Sequence, residues 1–385
     1  MQLKHHLTIL NKNMKKITIP FCILLAAISF TSCKKSASNN YSIPTTYTFT
    51  DVNDSNQAKL LLMADQIGAA INLGNALGVT VDAQQLKDMF NGTGGYFTDS
   101  SLKLNGSGLK LSDYCPAAMK TDLNNYFDSI ALYSNSGSVA VNGVAGVATS
   151  GANKKLLLSA NGIFYSQVVK KSINELCAYQ IANVYMADSI NSTTDLVKLA
   201  HYWDAAFGFF GVPVDFPTVT KGAKYFGSYS NQVNPGLNSN ATIMNAFLKG
   251  RAAISNNDLA TMKAQASILI TTFDILNAAC VVQEMHETET NIGGSAGAVA
   301  AYGTMSETLG FIRNFKYNTG TRVITDAQIA HLLELIDNTN PDNPDMYGFV
   351  GVLATQTPGP TSNTEIIAKY IQQVYGFTDA QLPLL

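Results

Sequence analysis

The amino-acid sequence predicts an all-α protein built from antiparallel helical bundles. Nearly every segment after Ser55 repeats its apolar residues at intervals of three and four, as a helix with one buried face does. Few segments alternate apolar and polar residues in the manner of half-buried strands. With 46% hydrophobic and 14% charged residues, the chain has the composition of a globular protein. We therefore expect amphipathic helices that pack antiparallel, either as one bundle or as two packed bundles.

A secretory signal precedes the helical region. Met14-Lys15-Lys16 supplies a basic start, residues 17–30 are apolar, and Thr31-Ser32-Cys33 places small residues before a cysteine. The apolar run is shorter than the roughly 20 residues that a membrane-spanning helix needs. A cysteine at the position where signal peptidase would cut predicts a lipoprotein. We expect residues 1–32 to be removed and Cys33 to be acylated, so that the protein contacts the membrane through this anchor.

A polar stretch without helical period joins the anchor to the helical region. Residues 33–46 are therefore expected to be a flexible tether, and residues 47–385 to be the all-helical domain. Lys34 and Lys35 follow the cysteine, whereas acidic residues follow it in lipoproteins that some Gram-negative bacteria send to the cell surface. We expect the protein to be anchored in the outer membrane and to face the periplasm.

Ten helices are expected in order along the domain, separated by loops rich in Gly, Asn and Ser. Asp54 or Ser55 caps the first helix, and Asn91-Gly92 ends the second. Residues 92–108 and 134–153 have the composition of loops. The expected helices are 55–77, 82–90, 113–133, 162–189, 194–210, 241–254, 258–290, 298–315, 326–337 and 363–374.

The helix expected over 258–290 carries the clearest pattern. One apolar seam continues along most of its length, and a second seam runs beside it. The second seam leads into His286 and Glu289, so a histidine and a carboxylate extend an inward-facing stripe. A face this wide predicts burial by several neighbouring helices. The main seam consists of Leu259, Met262, Ala266, Leu269, Phe273, Leu276 and Cys280.

Two other helices also place polar residues beside their apolar seams. In the helix over 194–210, His201 precedes Asp204 by three residues on one stripe. In the helix over 298–315, Glu307 lies alongside the seam. A histidine and a carboxylate three residues apart project from one helix face, and they can therefore share a cation.

Together these side chains predict a metal site between helices, with five nitrogen and oxygen donors. Imidazole and carboxylate ligands suit a transition metal such as iron or zinc rather than calcium. The spacing is neither the Glu-x-x-His of ferritin-like proteins nor the His-Glu-x-x-His of zincins. The structural alternative is a set of buried His–carboxylate pairs that hold helices together by hydrogen bonds. The five predicted ligands are His201, Asp204, His286, Glu289 and Glu307.

Five short blocks of sequence point to a family. They are Tyr47-Thr48-Phe49, Leu86-Lys87-Asp88-Met89-Phe90, His201-Tyr202-Trp203-Asp204-Ala205-Ala206-Phe207-Gly208, Lys249-Gly250-Arg251-Ala252-Ala253-Ile254 and Met305-Ser306-Glu307-Thr308-Leu309-Gly310-Phe311-Ile312. Together they resemble an uncharacterised family of Gram-negative lipoproteins. That family is similar to the imelysin-like envelope proteins, which have paired helical bundles and are often linked to iron uptake. The resemblance implies a His-x-x-Glu motif, which His286-Glu287-Thr288-Glu289 matches, although Glu284 stands where the imelysin motif begins with glycine.

Charge and cysteine content limit the classes of function. The net charge is −2, and residues 1–32 contain four lysines and no acidic residue, so their removal lowers it to −6. An acidic domain without a Lys/Arg-rich face is a poor partner for nucleic acid, and we expect none. No Cys-x-x-Cys motif is present, and Gly293-Gly294-Ser295-Ala296-Gly297 has the Gly-x-Ser-x-Gly spacing but follows a predicted helix rather than the strand that a serine nucleophile requires. Cys177 and Cys280 are expected to be inert core thiols, and a single disulfide among these two and Cys115 stays open.

These observations predict a non-catalytic, lipid-anchored helical protein of the envelope. Besides the membrane, its partner would be a metal ion, a small ligand or an envelope protein, bound in the cleft near the five predicted ligands. Two alternatives stay open. One is a metal-dependent hydrolase in which Glu289 or Glu307 is the general base beside a bound water. The other is a structural scaffold whose polar pairs only fix the register of the helices.

Overall fold

Helices form where apolar residues recur at three- and four-residue spacing, so the predicted all-α class is confirmed. The computed structural model describes residues 41–98, 102–359 and 361–385. The expected signal peptide, the Cys33 anchor and the first part of the tether lie outside the described residues. Within the described ranges, the α-helices are α1 Ser55–Asn72, α2 Ala83–Phe90, α3 Ala117–Ser134, α4 Tyr165–Tyr179, α5 Leu196–Phe210, α6 Phe226–Leu237, α7 Ser239–Ser255, α8 Leu259–Gly293, α9 Gly297–Asn314, α10 Asp326–Ile336, α11 Met346–Leu353 and α12 Asn363–Tyr375.

Capping side chains determine where half of these helices begin. In each of them, an oxygen of the N-cap side chain accepts a hydrogen bond from a backbone N–H of the first turn. The helices α5 and α12 end before Gly211 and Gly376, which adopt the left-handed conformation that glycine accommodates. The capping residues are Asp82, Asp195, Asp258, Thr325, Asp345 and Ser362.

A small hairpin lies where the sequence predicts a loop. Strand β1, Gly146–Thr149, pairs antiparallel with β2, Lys155–Leu158, and the register joins Gly146 to Leu158 and Thr149 to Lys155. The prediction of a loop over 134–153 is therefore wrong in its second half. Each strand has only four residues, which is too short for a clear alternation of apolar and polar side chains.

The helices α6 and α11 were not expected from the sequence. The helix α6 contains Gly227, Pro235 and Gly236, and α11 contains Gly348 and Gly351, residues that disfavour a helix interior. Tertiary contacts compensate, since α6 packs against α7 and α8 while α11 packs against α9. Burial in the core outweighs weak local propensity in both helices.

The helix α8 is the centre of the fold. It packs against α7, α9 and α12, and its predicted seam is buried from Met262 to Cys280. By length and composition α8 is apolar enough to cross a membrane, but most of its apolar stretch is buried among these neighbours, as in the core helix of a globular protein. Residues 41–385 form one unit around one large apolar core. The described helices therefore pack as one body.

The three cysteines of this unit are buried thiols that form no disulfide. Burial raises the pKa of Cys177 and Cys280 well above the usual value, which keeps both thiols neutral. The expectation of inert core thiols at Cys177 and Cys280 is confirmed. The disulfide that the sequence left open among Cys115, Cys177 and Cys280 is therefore not formed.

Candidate functional site

Asp204 lies inside the core and is paired with a cation of the protein itself. Its Oδ1 accepts hydrogen bonds from Nε of Arg251 and from the hydroxyl of Tyr47, each at 2.8 Å. His201, one turn earlier on α5, is exposed. The two side chains therefore face different surroundings, and α5 does not present them together to a cation.

Glu289 and His286 face the start of α12. Oε1 of Glu289 accepts hydrogen bonds from the hydroxyls of Ser362, at 2.5 Å, and of Thr364. Nε2 of His286 lies 3.9 Å from a carboxylate oxygen of Glu365. Ser362 is also the N-cap of α12, so Glu289 helps to orient the first turn of that helix against α8. These contacts fit the structural alternative, in which polar groups fix helix packing.

Glu307 belongs to a buried ion pair. Its Oε2 accepts one hydrogen bond from Nζ of Lys171 and another, at 3.0 Å, from the hydroxyl of Tyr229. The Lys171 ammonium also lies 4.8 Å from the ring centre of Tyr229 and 5.3 Å from that of Phe311. Gly310 allows this approach, because a Cβ there would lie 2.7 Å from Cβ of Lys171. The pair therefore ties α4 to α9 deep in the fold.

Glu284 is a second carboxyl group in this buried cluster. Burial and the negative charge of Glu307 raise the pKa of Glu284 well above its ordinary value. Burial acts to raise the pKa of Glu307 as well, but the charge of Lys171 and the hydrogen bond from Glu284 outweigh it and lower that pKa. The raised pKa favours the neutral form of Glu284 beside the carboxylate of Glu307. A carboxylate held in this way is a poor general base.

The structure does not bring the five predicted ligands into one site. Asp204 is neutralised by Arg251 and Glu307 by Lys171, while Glu289 accepts hydrogen bonds from two hydroxyls. Across residues 41–98, 102–359 and 361–385, no three His, Cys, Asp or Glu side chains are grouped closely enough to hold a metal ion. The sequence reasoning placed these polar residues beside apolar seams but could not foresee their partners. The separated residues are His201, Asp204, His286, Glu289 and Glu307.

A groove of about 580 Å³ lies between α1 and α4, beside the β1–β2 hairpin. Its floor is apolar and includes Ile67 and Ile71 of α1 together with Val169 and Ile173 of α4. A volume of this size suits a small ligand. The polar side chains of its rim are Asp65, Asn72, Asn75, Lys154, Lys155, Ser166, Gln167, Lys170 and Tyr225.

Several of the rim groups are already engaged. Asp65 accepts hydrogen bonds from the ammonium of Lys224 and, at 3.0 Å, from the hydroxyl of Tyr225. Oδ1 of Asn72 accepts a hydrogen bond of 2.8 Å from the hydroxyl of Ser166. Asp65 is the one carboxylate that lines the groove in the described part of the chain, and Lys224 neutralises it.

Three lysines give the groove a positive charge. Lys154, Lys155 and Lys170 are exposed at its rim. Within the described ranges, none of the three forms an ion pair with a carboxylate. Burial of its stem and the charge of Lys171 lower the pKa of Lys170, so an anion beside Lys170 would relieve this repulsion.

Gly68 keeps the middle of the groove open. It lies in the interior of α1, and a Cβ at this position would meet no atom within 4 Å. Packing therefore does not require glycine here, although glycine in a helix interior is less stable than alanine by about 1 kcal/mol. The missing side chain leaves room for a ligand above the apolar floor.

The sequence reasoning missed this groove. Two features of the sequence could have indicated it. One is Gly68, a glycine inside a predicted helix, and the other is the adjacent pair Lys170-Lys171 in an apolar helical pattern. Adjacent helical residues point about 100° apart, so one of these lysines had to face away from the core. No local spacing connects them to Lys154 and Lys155, which meet α4 only in the folded chain.

Comparison with known proteins identifies the family of the chain. A family described as domain of unknown function (DUF4856) matches residues 44–378, which include the groove and the buried cluster. No curated protein and no solved structure matches the chain significantly. The match covers most of the sequence, and the chain therefore belongs to the DUF4856 family of domains of unknown function.

Proposed function

We propose that this protein is a lipid-anchored envelope protein that binds a small anionic ligand, without transforming it, in the groove between α1 and α4. The observation that carries the proposal is the set of three lysines, Lys154, Lys155 and Lys170, around a groove whose carboxylate is neutralised. Positive charge in a concave site raises the local concentration of anions. The apolar floor removes part of a bound ligand from water, which adds to its affinity.

Anchoring in the outer membrane, facing the periplasm, is part of this proposal. It rests on the lipoprotein pattern that ends at Cys33 and on the likeness of five sequence blocks to an uncharacterised family of Gram-negative lipoproteins, which is itself similar to imelysin-like envelope proteins. The proposed ligand site uses none of the His-x-x-Glu residues of that likeness. A domain tethered in this way would hold its ligand close to the membrane.

The site geometry gives less support to a hydrolase. Glu307 is bound by Lys171, which lowers its pKa, and Glu289 already accepts hydrogen bonds from two hydroxyls. Neither carboxylate is placed to activate a water beside a metal ion. A structural scaffold is the second candidate, because the pairs made by Asp204, Glu289 and Glu307 all hold helices together.

Stabilisation by ligands tests the proposal. The chain from Ser36 onward contains the whole described core, and it is heated with a panel of small carboxylates, phosphates and sulfonates. We expect at least one anion to raise the melting temperature, because a ligand that binds only the folded state stabilises it. The increase should disappear in Gly68→Leu, which fills the groove, and should persist in Gly68→Ala.

Charge variants separate the groove from the rest of the surface. Lys155→Gln and Lys170→Gln should each reduce the stabilisation by the anion. Lys198→Gln is the matched control, since Lys198 is exposed on α5 and does not line the groove. If no anion stabilises the parent protein, or if the groove variants respond like the control, the scaffold reading is supported and ligand binding is contradicted.

A further inference from the structure

We infer that the anion held in the groove is amphiphilic, with one acidic group beside the lysines and an alkyl chain along the apolar floor. The inference rests on the proposed function and names the class of its ligand. Along the floor, Ile67, Gly68 and Ile71 of α1 face Val169 and Ile173 of α4, and the polar side chains of Gln167 and Lys170 lie at the rim above it. The backbone groups of both helices are satisfied inside the helices.

This floor discriminates between classes of anion. A sugar acid or an acidic peptide carries donors and acceptors along its length, and those on the side that faces the floor would be left unpaired. Burying a polar group without a partner costs several kcal/mol in apolar surroundings, about 2–7 by transfer measurements. An alkyl chain has no such groups, so its burial is favourable along the whole floor.

The length of the apolar stretch matches a medium-length chain. Its polar limits on α1 are Asp65 at one end and Asn72 at the other. Seven residues of α-helix separate them, which corresponds to about 10 Å along the helix axis. An acyl chain of medium length spans this distance when extended, whereas acetate would leave most of the floor uncovered.

The charges of the two ends orient the ligand. At the Asn72 end, Ser166 donates to Asn72, and Lys170 lies one turn further along α4, about 6 Å toward the middle of the groove. Lys155 is close to the same end, because it is the first residue of β2. The backbone N–H of Leu157, in the same strand, donates to the side chain of Asn75, just beyond the end of α1, at 3.0 Å.

The opposite end does not favour an acidic group. There the Asp65 carboxylate is bound by Lys224 and Tyr225, so its ion pair is complete. An acidic ligand group placed beside Asp65 would find the neighbouring cation, Lys224, already paired, whereas Lys155 and Lys170 form no ion pair with a carboxylate in the described part of the chain. The acidic group therefore lies at the lysine end and the chain terminus points toward Asp65.

Titration calorimetry with three probes tests the inference on the chain from Ser36 onward. Octanoate has both the acid and the chain, acetate has the acid alone, and 1-octanol has the chain without the charge. We expect one octanoate per protein, bound at least about tenfold more tightly than either other probe, because each buried methylene adds to affinity.

Groove variants locate the octanoate. Gly68→Leu should weaken its binding by about tenfold or more, and Gly68→Ala should leave it within a small factor of the parent. Replacing both Lys155→Gln and Lys170→Gln should reduce octanoate binding to the level of 1-octanol, whereas Lys198→Gln should not change it. Because Lys155 and Lys170 are exposed, replacing them should not prevent folding. The lysine variants therefore test the site even if Gly68→Leu does not fold.

The outcomes distinguish this inference from the proposal on which it rests. Octanoate that binds no more tightly than acetate overturns the inference, because the chain would then contribute nothing. If another anion of the panel stabilises the protein and that effect depends on Gly68, the proposed function stands without the amphiphile. If the binding of no anion changes in the groove variants, both the proposed function and this inference are wrong.

Discussion

Asp274 is a buried carboxyl of α8 whose ionisation opposes folding. Its two oxygens accept hydrogen bonds from the backbone N–H of Val323, at 2.8 Å, and from the hydroxyl of Tyr375, at 3.0 Å. Burial nevertheless raises the pKa of Asp274 to about 6. Because the folded-state pKa exceeds the unfolded one, the stabilising contribution is complete below about pH 4 and is lost as the pH rises through about 6.

Asp274→Asn should therefore stabilise the protein at neutral pH. We expect the free energy of unfolding to rise by about 2–3 kcal/mol near pH 7 and to change little near pH 4. The new amide can accept from Val323 and donate to Tyr375, so both hydrogen bonds are kept. Denaturant unfolding of both proteins across this pH range measures the difference. Stability curves that stay parallel would contradict the assignment.

The pair of Lys171 and Glu307 is stabilising only while both charges are present. Removing one partner of a buried ion pair leaves an uncompensated charge and costs about 3–5 kcal/mol. Glu307→Gln should lower the free energy of unfolding by at most this amount, because Glu284 can then ionise beside Lys171 in its place. In the double variant that adds Lys171→Met, part of the loss should be recovered, because no buried charge is left unpaired.

A surface pair provides the control for this measurement. Lys87 and Asp128 form an ion pair of 2.6 Å in which the aspartate side chain is 55% exposed. Asp128→Asn should cost less than about 1 kcal/mol, as exposed pairs do. Urea unfolding measures both variants. If Glu307→Gln and Asp128→Asn lower the free energy of unfolding equally, the buried pair stabilises the fold no more than the exposed one does.

A glycine in its interior lowers the intrinsic stability of the helix α1. Gly68 lies in its interior with open space around the missing side chain. Gly68→Ala should raise the free energy of unfolding by about 0.5–1 kcal/mol, because alanine restricts the unfolded chain and favours the helix. Thermal or denaturant unfolding checks this. A free energy of unfolding below that of the parent protein would contradict the prediction and would mean that the added methyl group clashes with a neighbour.

The segment after α4 shows where periodicity fails to resolve an element. The predicted helix over 162–189 is α4 followed by a π-helical segment, Gln180–Asp188. The wider turn inserts extra residues per turn and re-aims the side chains that follow. Nδ2 of Asn183, in this segment, donates to Asn318 at 2.6 Å. The apolar spacing of the sequence continues through this region and does not reveal the change.

Three of the five sequence blocks meet in one structural contact of the whole molecule. Tyr47, near the start of the described chain, stacks on Phe207 with ring centres 3.7 Å apart and donates to Asp204. Arg251 pairs with Asp204 and also donates to the backbone carbonyl of Thr50. The segment that follows the expected tether is thereby fastened to α5 and α7.

A close approach of α5 and α7 supports this contact. Nε1 of Trp203 donates to the backbone carbonyl of Phe247 at 2.9 Å. A Cβ at Gly250 would lie 1.9 Å from the Trp203 ring, so only glycine fits there. The blocks around His201 and Lys249 thus encode the packing of α5 on α7 rather than a metal site.

The sequence by itself determined the all-α class, the order of most helices and the buried seam of α8. These features depend on the periodicity of apolar residues that are close together in the chain. It also showed that Asp204, Glu289 and Glu307 lie beside apolar seams. The hairpin, α6 and α11 escaped it, because their stability comes from distant contacts rather than from local propensity.

Only the tertiary structure decided which partner each polar group meets. Asp204 faces Arg251 and Glu307 faces Lys171 because α5 packs on α7 and α4 packs on α9. The lysine-rimmed groove exists because α1 lies against α4 beside the hairpin. Whether a charged side chain meets a counterion, a hydroxyl or a ligand depends on helices far apart in sequence, and no spacing within one helix encodes that choice.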